Sequence, residues 1–202
     1  MRDILNKMVS KVKGMSDNIA DAGYRALIDE VDKLVILLSQ KNPKKLIELI
    51  AASGVSPNPS VSAKTACKII CFYIECKVKG VYNDTFSAFL SRVYNLSGLS
   101  PLSMRMLKTQ EDILDCFVGT AYYITEIKDL KRCIEYFATN RKVGTVRIKT
   151  GEDSFHSMMI YHNLDKIIPV ISDPSYRGRR VPLAKYVNES NFEYATIIEE
   201  RM

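Results

Sequence analysis

Hydrophobic residues recur every three to four positions through the first fifty-four residues, which is the spacing of amphipathic helices. Glycine and proline interrupt the pattern at points where a helix would end or begin. The predicted helices cover residues 2–13, ending at Gly14, then Ser16 or Asp17 to about Gln40, then Pro43 to near Ser53. We interpret residues 1–54 as a helical extension with a packing or partner-binding role.

Residues 54–62 are rich in serine and proline and form a predicted linker. The chain then enters a strongly apolar segment over residues 63–76, which predicts a buried helix. Further helices are predicted over residues 84–96, 103–117 and 126–139.

From Val143 the pattern changes to the alternating and β-branched runs that are typical of strands. The predicted strands are residues 145–149, 155–162, 167–174 and 192–198, with one helical turn over residues 183–187. A run of helices followed by antiparallel strands is typical of an α+β fold. We therefore expect an α+β fold, with N-terminal helices followed by an antiparallel β-sheet.

The strands at 155–162 and 167–174 form a predicted β-hairpin. A turn centred on Leu164-Asp165 would place His156 directly opposite Asp173 and Pro169 opposite Ile160. Opposed residues in an antiparallel pair have Cβ atoms about 4.5–5.5 Å apart. The register therefore predicts a hydrogen bond between an imidazole and a carboxylate.

Cys67 lies near the start of the apolar helix, where the positive end of the helix dipole favours a thiolate. Asp173 would fix the ring orientation of His156, which leaves the other ring nitrogen for the thiol. Cys71 is the alternative nucleophile, one turn further into the helix. Each residue also has a structural interpretation: a buried cysteine, a strand histidine, and an aspartate that begins a turn before Pro174.

The chain has 202 residues, enough for one sizeable domain. No run is long enough to span a bilayer, and the N-terminus lacks the apolar core of a secretory signal. We therefore expect a cytoplasmic protein, unless another route exports it. The five cysteines include no CxxC pair and only two histidines accompany them, so we expect free thiols, no metal site and no cofactor.

The net charge is +6, and the chain has three local basic clusters. These lie at Lys7, Lys11 and Lys13, at Lys41, Lys44 and Lys45, and at Arg177, Arg179 and Arg180. They would give weak, salt-sensitive attraction to anionic partners. We interpret them as a solvated basic surface and expect no nucleic-acid binding, because no recognition motif for DNA or RNA accompanies them.

The order of Cys67, His156 and Asp173, with the cysteine on a helix and the others on a following sheet, resembles that of papain-like cysteine peptidases. Residues 60–198 are most similar to the bacteriocin-leader peptidase branch. The similarity rests on Cys67, the helix at 127–134 that leads into the strand at 144–148, His156-Ser157-Met158-Met159-Ile160, Asp173-Pro174, and the tail at 181–186. It implies a papain-like domain over residues 55–202 that uses a Cys-His-Asp site.

The sequence departs from this family at the oxyanion hole. A glutamine usually lies a few residues before the family's cysteine, but this chain has none between Gln40 and Gln110. Asn58 or Ser62 could substitute, or the Cys67 backbone N–H could act nearly alone. Loss of one oxyanion donor typically costs on the order of 10²–10³ in rate.

These observations support two main hypotheses. The first is a thiol hydrolase that acts on a peptide or protein, at a peptide or isopeptide bond, with a cell-wall amidase as a neighbouring possibility. The second is a catalytically inactive papain-like module that binds another protein, which the missing glutamine favours. A basic, nucleic-acid-associated helical protein is the third interpretation, and salt-dependent retention on DNA would test it.

Overall fold

The computed structural model describes residues 2–41, 43–97, 107–165, 168–176 and 180–201. The helices are α1 (Arg2–Leu37), α2 (Lys44–Ser53), α3 (Pro59–Thr65), α4 (Cys67–Val78), α5 (Phe86–Ser97), α6 (Leu107–Val118) and α7 (Leu130–Thr139). The strands are β1 (Tyr122–Ile127), β2 (Val143–Lys149), β3 (Phe155–Asn163), β4 (Ile168–Ser172), β5 (Val181–Pro182) and β6 (Phe192–Glu200). Short 3₁₀ turns lie at Gly119–Ala121, Pro174–Tyr176 and Leu183–Lys185.

The predicted α+β arrangement is confirmed. The strands form one sheet in the order β1-β6-β2-β3-β4-β5, and every neighbouring pair is antiparallel. The N-terminal helices pack on one face of this sheet, where α4 contacts β2 and β3. Helix α7 packs on the other face. The sheet is therefore covered on both sides, with α4 buried at the centre of the larger layer.

Three local predictions are corrected. The helices predicted over residues 2–13 and from Ser16 are one continuous helix, α1, because a single interior glycine costs only about 1 kcal/mol in a helix. The linker contains α3, since Asn58 accepts a hydrogen bond from the Val61 N–H and Pro59 is the first helical residue. Strand β1 occupies the start of the helix predicted over residues 126–139. Residues 103–106 of another predicted helix lie outside the described residues.

The hairpin register differs from the prediction by two residues. Strands β3 and β4 pair Ile160 with Ile171 and His162 with Pro169, so Pro169 does not face Ile160 and Asp173 is not directly opposite His156. The last pair of the ladder is Asn163 with Ile168, whereas residues 163–166 were the predicted turn. Because side chains alternate with a period of two, a two-residue shift keeps every side chain on its predicted face.

Helix α1 contacts the sheet through buried polar groups. The Tyr24 hydroxyl donates to the Lys142 carbonyl (3.0 Å) and accepts from the His162 N–H (2.9 Å). Further along α1, Asp32 accepts hydrogen bonds from the Tyr161 hydroxyl (2.9 Å) and from Arg180. The same hydrophobic core contains residues of α1, α2 and α4. The division of the chain at residue 54 stays a prediction.

Candidate active site

Cys67 is the first residue of α4. Helix α3 ends at Thr65, and Ala66 separates the two helices. The first N–H groups of a helix have no carbonyl partner within it, so they and the helix dipole favour negative charge at this end. The structure therefore places the predicted nucleophile where a thiolate is stabilised.

His156 and Asp173 form a direct hydrogen bond. His156 Nε2 lies 2.7 Å from Asp173 Oδ1, and the Ser175 backbone N–H donates to the same oxygen at 2.7 Å. The side chain of Asp173 is 7% exposed and that of His156 is 18% exposed. The carboxylate is thus enclosed and fixed, while part of the imidazole can meet a bound molecule.

The Cys67 thiol is hydrogen-bonded to the His156 imidazole and to the backbone N–H groups of Ser157 and Lys68. Burial opposes ionisation of the thiol, but these hydrogen bonds and the charge of His156 outweigh it, and together they lower the pKa of Cys67. Because Nε2 is bonded to Asp173, Nδ1 is the ring nitrogen that remains for the thiol.

The environment of His156 stabilises the imidazolium. Burial alone would lower its pKa, but the hydrogen bonds and negative charges of Asp173 and Cys67 raise the pKa of His156 to about 10. A lowered thiol pKa beside a raised imidazole pKa favours a thiolate–imidazolium pair. That pair is the form in which a cysteine acts as a nucleophile.

Cys71 has the opposite environment. It is fully buried, and burial together with the negative charges of Cys67, Asp173 and Glu75 raises its pKa well above the usual value. The geometry therefore favours Cys67 over Cys71 as the nucleophile.

Asn58 and Ser62, the candidate oxyanion donors, have local partners. The Asn58 side chain accepts from the Val61 N–H (3.3 Å) and caps α3. The Ser62 hydroxyl lies 2.7 Å from that of Ser56. Asn58 is the N-cap of α3 and Ser62 lies within that helix, and an oxyanion role for either stays a prediction.

Gln40 is a residue of this site that the sequence analysis did not select. Its amide nitrogen donates to the Ala63 carbonyl (2.8 Å), one turn before Cys67, and its amide oxygen accepts from the Ser175 hydroxyl (3.3 Å). That hydroxyl also lies 3.4 Å from His156 Nε2. Gln40 follows α1, far from Cys67 along the chain, and reaches the site only through tertiary packing.

No protein-family model matches this chain, and no curated protein matches it. Within the described part of the chain, no group of three His, Cys, Asp or Glu side chains is arranged to hold a metal ion. None of the helices described above combines the length and apolar character that a membrane span needs.

Proposed function

We propose that this chain is a papain-like thiol hydrolase that cleaves a peptide, isopeptide or related amide bond. The observation that carries the proposal is the hydrogen-bonded series Cys67–His156–Asp173 at the start of α4. The resemblance in the order of these residues along the chain supports the same proposal.

In the proposed reaction the Cys67 thiolate attacks the carbonyl carbon of the scissile amide. The His156 imidazolium gives its proton to the amine as the carbon–nitrogen bond breaks, which leaves a thioester on Cys67. Neutral His156 then takes a proton from water as the water attacks the thioester. The carboxylic acid leaves, the proton returns to the Cys67–His156 pair, and Asp173 holds the imidazole in place throughout.

We propose two donors for the oxyanion of the tetrahedral intermediate. One is the backbone N–H of Cys67 at the helix start. The other is the Gln40 amide, which has two hydrogens, one of which is given to the Ala63 carbonyl. The Ser175 hydroxyl fixes the amide orientation. In the papain-like family a glutamine a few residues before the cysteine supplies this donor. We propose that Gln40 takes that role here, with Asn58 and Ser62 as the alternatives.

A catalytically inactive, protein-binding module is the second candidate function. It is favoured by the departures of the sequence around Cys67, where no glutamine lies within a few residues and Ala66 and Lys68 replace the usual glycine. Such a module would keep the fold and lose the reactivity of the thiol.

Alkylation by iodoacetamide separates the two functions. Cys116 is an exposed free thiol in the same chain and serves as the internal reference. A hydrolase predicts that Cys67 reacts faster than Cys116 at pH 6, and that His156→Ala removes this advantage. Labelling of Cys67 at or below the rate of Cys116 would instead favour the binding module. Peptide mass spectrometry measures both rates in one sample.

A further inference from the structure

Lys68, which follows Cys67 in α4, and its neighbour Arg147 are two cations that have no carboxylate partner among the described residues. The Lys68 ammonium nitrogen is buried and has no hydrogen-bond partner among the described residues. Within that same part of the chain, neither side chain forms an ion pair with a carboxylate. Buried charges are normally paired, so this arrangement needs an explanation.

Arg147 lies on the face of β2 that packs against α4. Arg147 pairs with Ser157 across β2 and β3, and the Ser157 N–H donates to the Cys67 sulfur. Two residues earlier on the same face of β2, Thr145 donates to Glu75 of α4 at 3.3 Å. Because alternate residues share a face, Arg147 faces the α4 side of the sheet, where Cys67 begins the helix.

Aromatic rings hold Arg147 in place without neutralising it. Its guanidinium carbon lies 4.4 Å from the centre of the Phe155 ring and 5.8 Å from that of Tyr194. Phe155 is 39% exposed, so the guanidinium lies at the boundary between the site and solvent. Arg147 can therefore meet a molecule that approaches Cys67.

The positive charges of Lys68 and Arg147 repel each other. Burial, and the positive charge of Arg147 after it, lower the pKa of Lys68 to about 8. The Cys67 thiolate offsets part of this effect, and a bound carboxylate would relieve the repulsion further and give the Lys68 ammonium a hydrogen-bond partner. A guanidinium suits a carboxylate because it offers a planar set of donors.

We propose that Lys68 and Arg147 form a binding site for a carboxylate of the substrate, so that the bond cleaved at Cys67 lies next to an acidic group. This inference rests on the proposed hydrolase function, since it specifies the substrate of that site. The carboxylate can belong to an aspartate or glutamate side chain or to the C-terminus of a peptide. Both sources present the same chemistry to Arg147.

The first test compares alkylation of Cys67 by iodoacetate, which carries a carboxylate, with alkylation by neutral iodoacetamide. The ratio of the two rates is measured in wild type, Lys68→Gln, Arg147→Gln and, as a matched charge control, Lys131→Gln on the exposed side of α7. We expect the ratio to fall by about fivefold or more in the first two variants, because an interaction between unit charges a few ångströms apart is lost. It should not change in Lys131→Gln.

An unchanged ratio in both Lys68→Gln and Arg147→Gln would overturn the carboxylate site. All variants keep His156, so its own attraction for iodoacetate cancels in the comparison. The result is distinct from the test of the proposed function. A slow absolute rate at Cys67 argues against the hydrolase, whereas the ratio reports the carboxylate site at any absolute rate.

The second test uses wild-type protein and so does not depend on the folding of a variant. Three peptides compete with iodoacetamide for the site: acetyl-Glu-Gly-amide, acetyl-Gln-Gly with a free C-terminus, and acetyl-Gln-Gly-amide, which has no carboxylate. Protection of Cys67 by one acidic peptide at a concentration about fivefold or more below that of the neutral peptide supports the site. It also identifies which carboxylate is bound. Equal protection by all three peptides contradicts the proposal.

Discussion

The imidazole of His156 is held 2.7 Å from the carboxylate of Asp173 although the two residues are not opposite each other in the β3–β4 ladder. Asp173 follows the last paired residue of β4, Ser172. Its carboxylate is fixed by the Ser175 N–H of the following turn. The pair therefore depends on the chain after β4, and removal of the Asp173 charge should change the chemistry of His156 more than it changes the sheet.

The first prediction concerns Asp173→Asn. The thiolate–imidazolium pair exists above the lowered pKa of Cys67 and below the pKa of His156, about 10. Asparagine has no negative charge to stabilise the protonated form of His156. Because the imidazolium is then less stable, it stabilises the Cys67 thiolate less. We expect the pH at which Cys67 becomes reactive to rise by about one unit or more. The measurement is the rate of iodoacetamide labelling between about pH 5 and pH 10.

Asp153→Asn is the control for this experiment, because it removes the same charge from an exposed residue before β3. Its pH profile should match that of wild type. Identical profiles for Asp173→Asn and wild type would show that Asp173 does not act on the thiol through His156.

The second prediction concerns Gln40→Ala. Acylation of Cys67 by p-nitrophenyl acetate passes through an oxyanion, whereas alkylation by iodoacetamide does not. If the Gln40 amide stabilises the oxyanion, acylation should slow on the order of 10²-fold, while alkylation changes little. Release of p-nitrophenol and peptide mass spectrometry measure the two rates.

Asn58→Ala and Ser62→Ala are compared in the same two assays. We expect both variants to acylate at close to the wild-type rate, because their side chains bond locally to Val61 and Ser56. Selective loss of acylation in either of these variants, with Gln40→Ala unaffected, would move the oxyanion role to that residue.

Several features of this fold could be predicted because they depend on local pattern. The alternation of β3 and β4 indicated which residues share a face. The predicted register was wrong by two residues, but a shift of two leaves every side chain on the same face. Cys67 at a helix start followed from the apolar run that comes after Ser and Pro residues. These features depend on sequence neighbours rather than on distant packing.

Other features could not be predicted, because distant parts of the chain determine them. β1 pairs with β6, more than seventy residues later along the chain (Tyr122 with Glu200), and no local signal marks that pairing. Gln40 joins the site through contacts with distant residues, one of which is the hydrogen bond from its main-chain N–H to the Pro174 carbonyl at 3.0 Å. Long-range hydrogen bonds of this kind leave no periodic trace in the sequence.

The third prediction concerns the close contact between β2 and β6 at Gly144. A Cβ at this position would lie well inside van der Waals distance of the Thr196 carbonyl oxygen and 2.9 Å from Phe137 Cζ. Gly144→Ala should therefore lower the free energy of unfolding by about 1–3 kcal/mol or more. Urea unfolding, followed by circular dichroism, measures the change.

Gly151→Ala is the matched control, because the nearest atom to its Cβ would be Ser154 Cβ at 3.5 Å, an ordinary contact. It should change stability by less than about 1 kcal/mol. Equal stabilities for the Gly144→Ala and Gly151→Ala variants would mean that β2 and β6 can move apart at little cost.

The last prediction concerns the pH dependence of stability that arises from Glu75, a buried residue of α4. Its carboxylate accepts hydrogen bonds from the Ile198 N–H (2.5 Å) and the Thr145 hydroxyl (3.3 Å). Burial nevertheless raises the pKa of Glu75 from 4.5 to about 7. Between these two pH values the folded state binds more protons than the unfolded state. The free energy of unfolding must therefore fall as the pH rises through this window.

Glu75→Gln removes this titration, and the new amide oxygen can accept from the Ile198 N–H while the amide NH2 donates to the Thr145 hydroxyl oxygen. Its stability relative to wild type should rise by about 3 kcal/mol between pH 4 and pH 8, at about 1.36 kcal/mol per pKa unit. The raised pKa of His156 adds a dependence at higher pH that both proteins share, so it cancels in the difference. Urea unfolding at several pH values measures this difference in the free energy of unfolding. For the control Glu152→Gln, at an exposed position, the difference from wild type should not change with pH. A constant difference for Glu75→Gln as well would mean that Glu75 stays ionised in the folded protein at pH 5, with Lys79 compensating its burial.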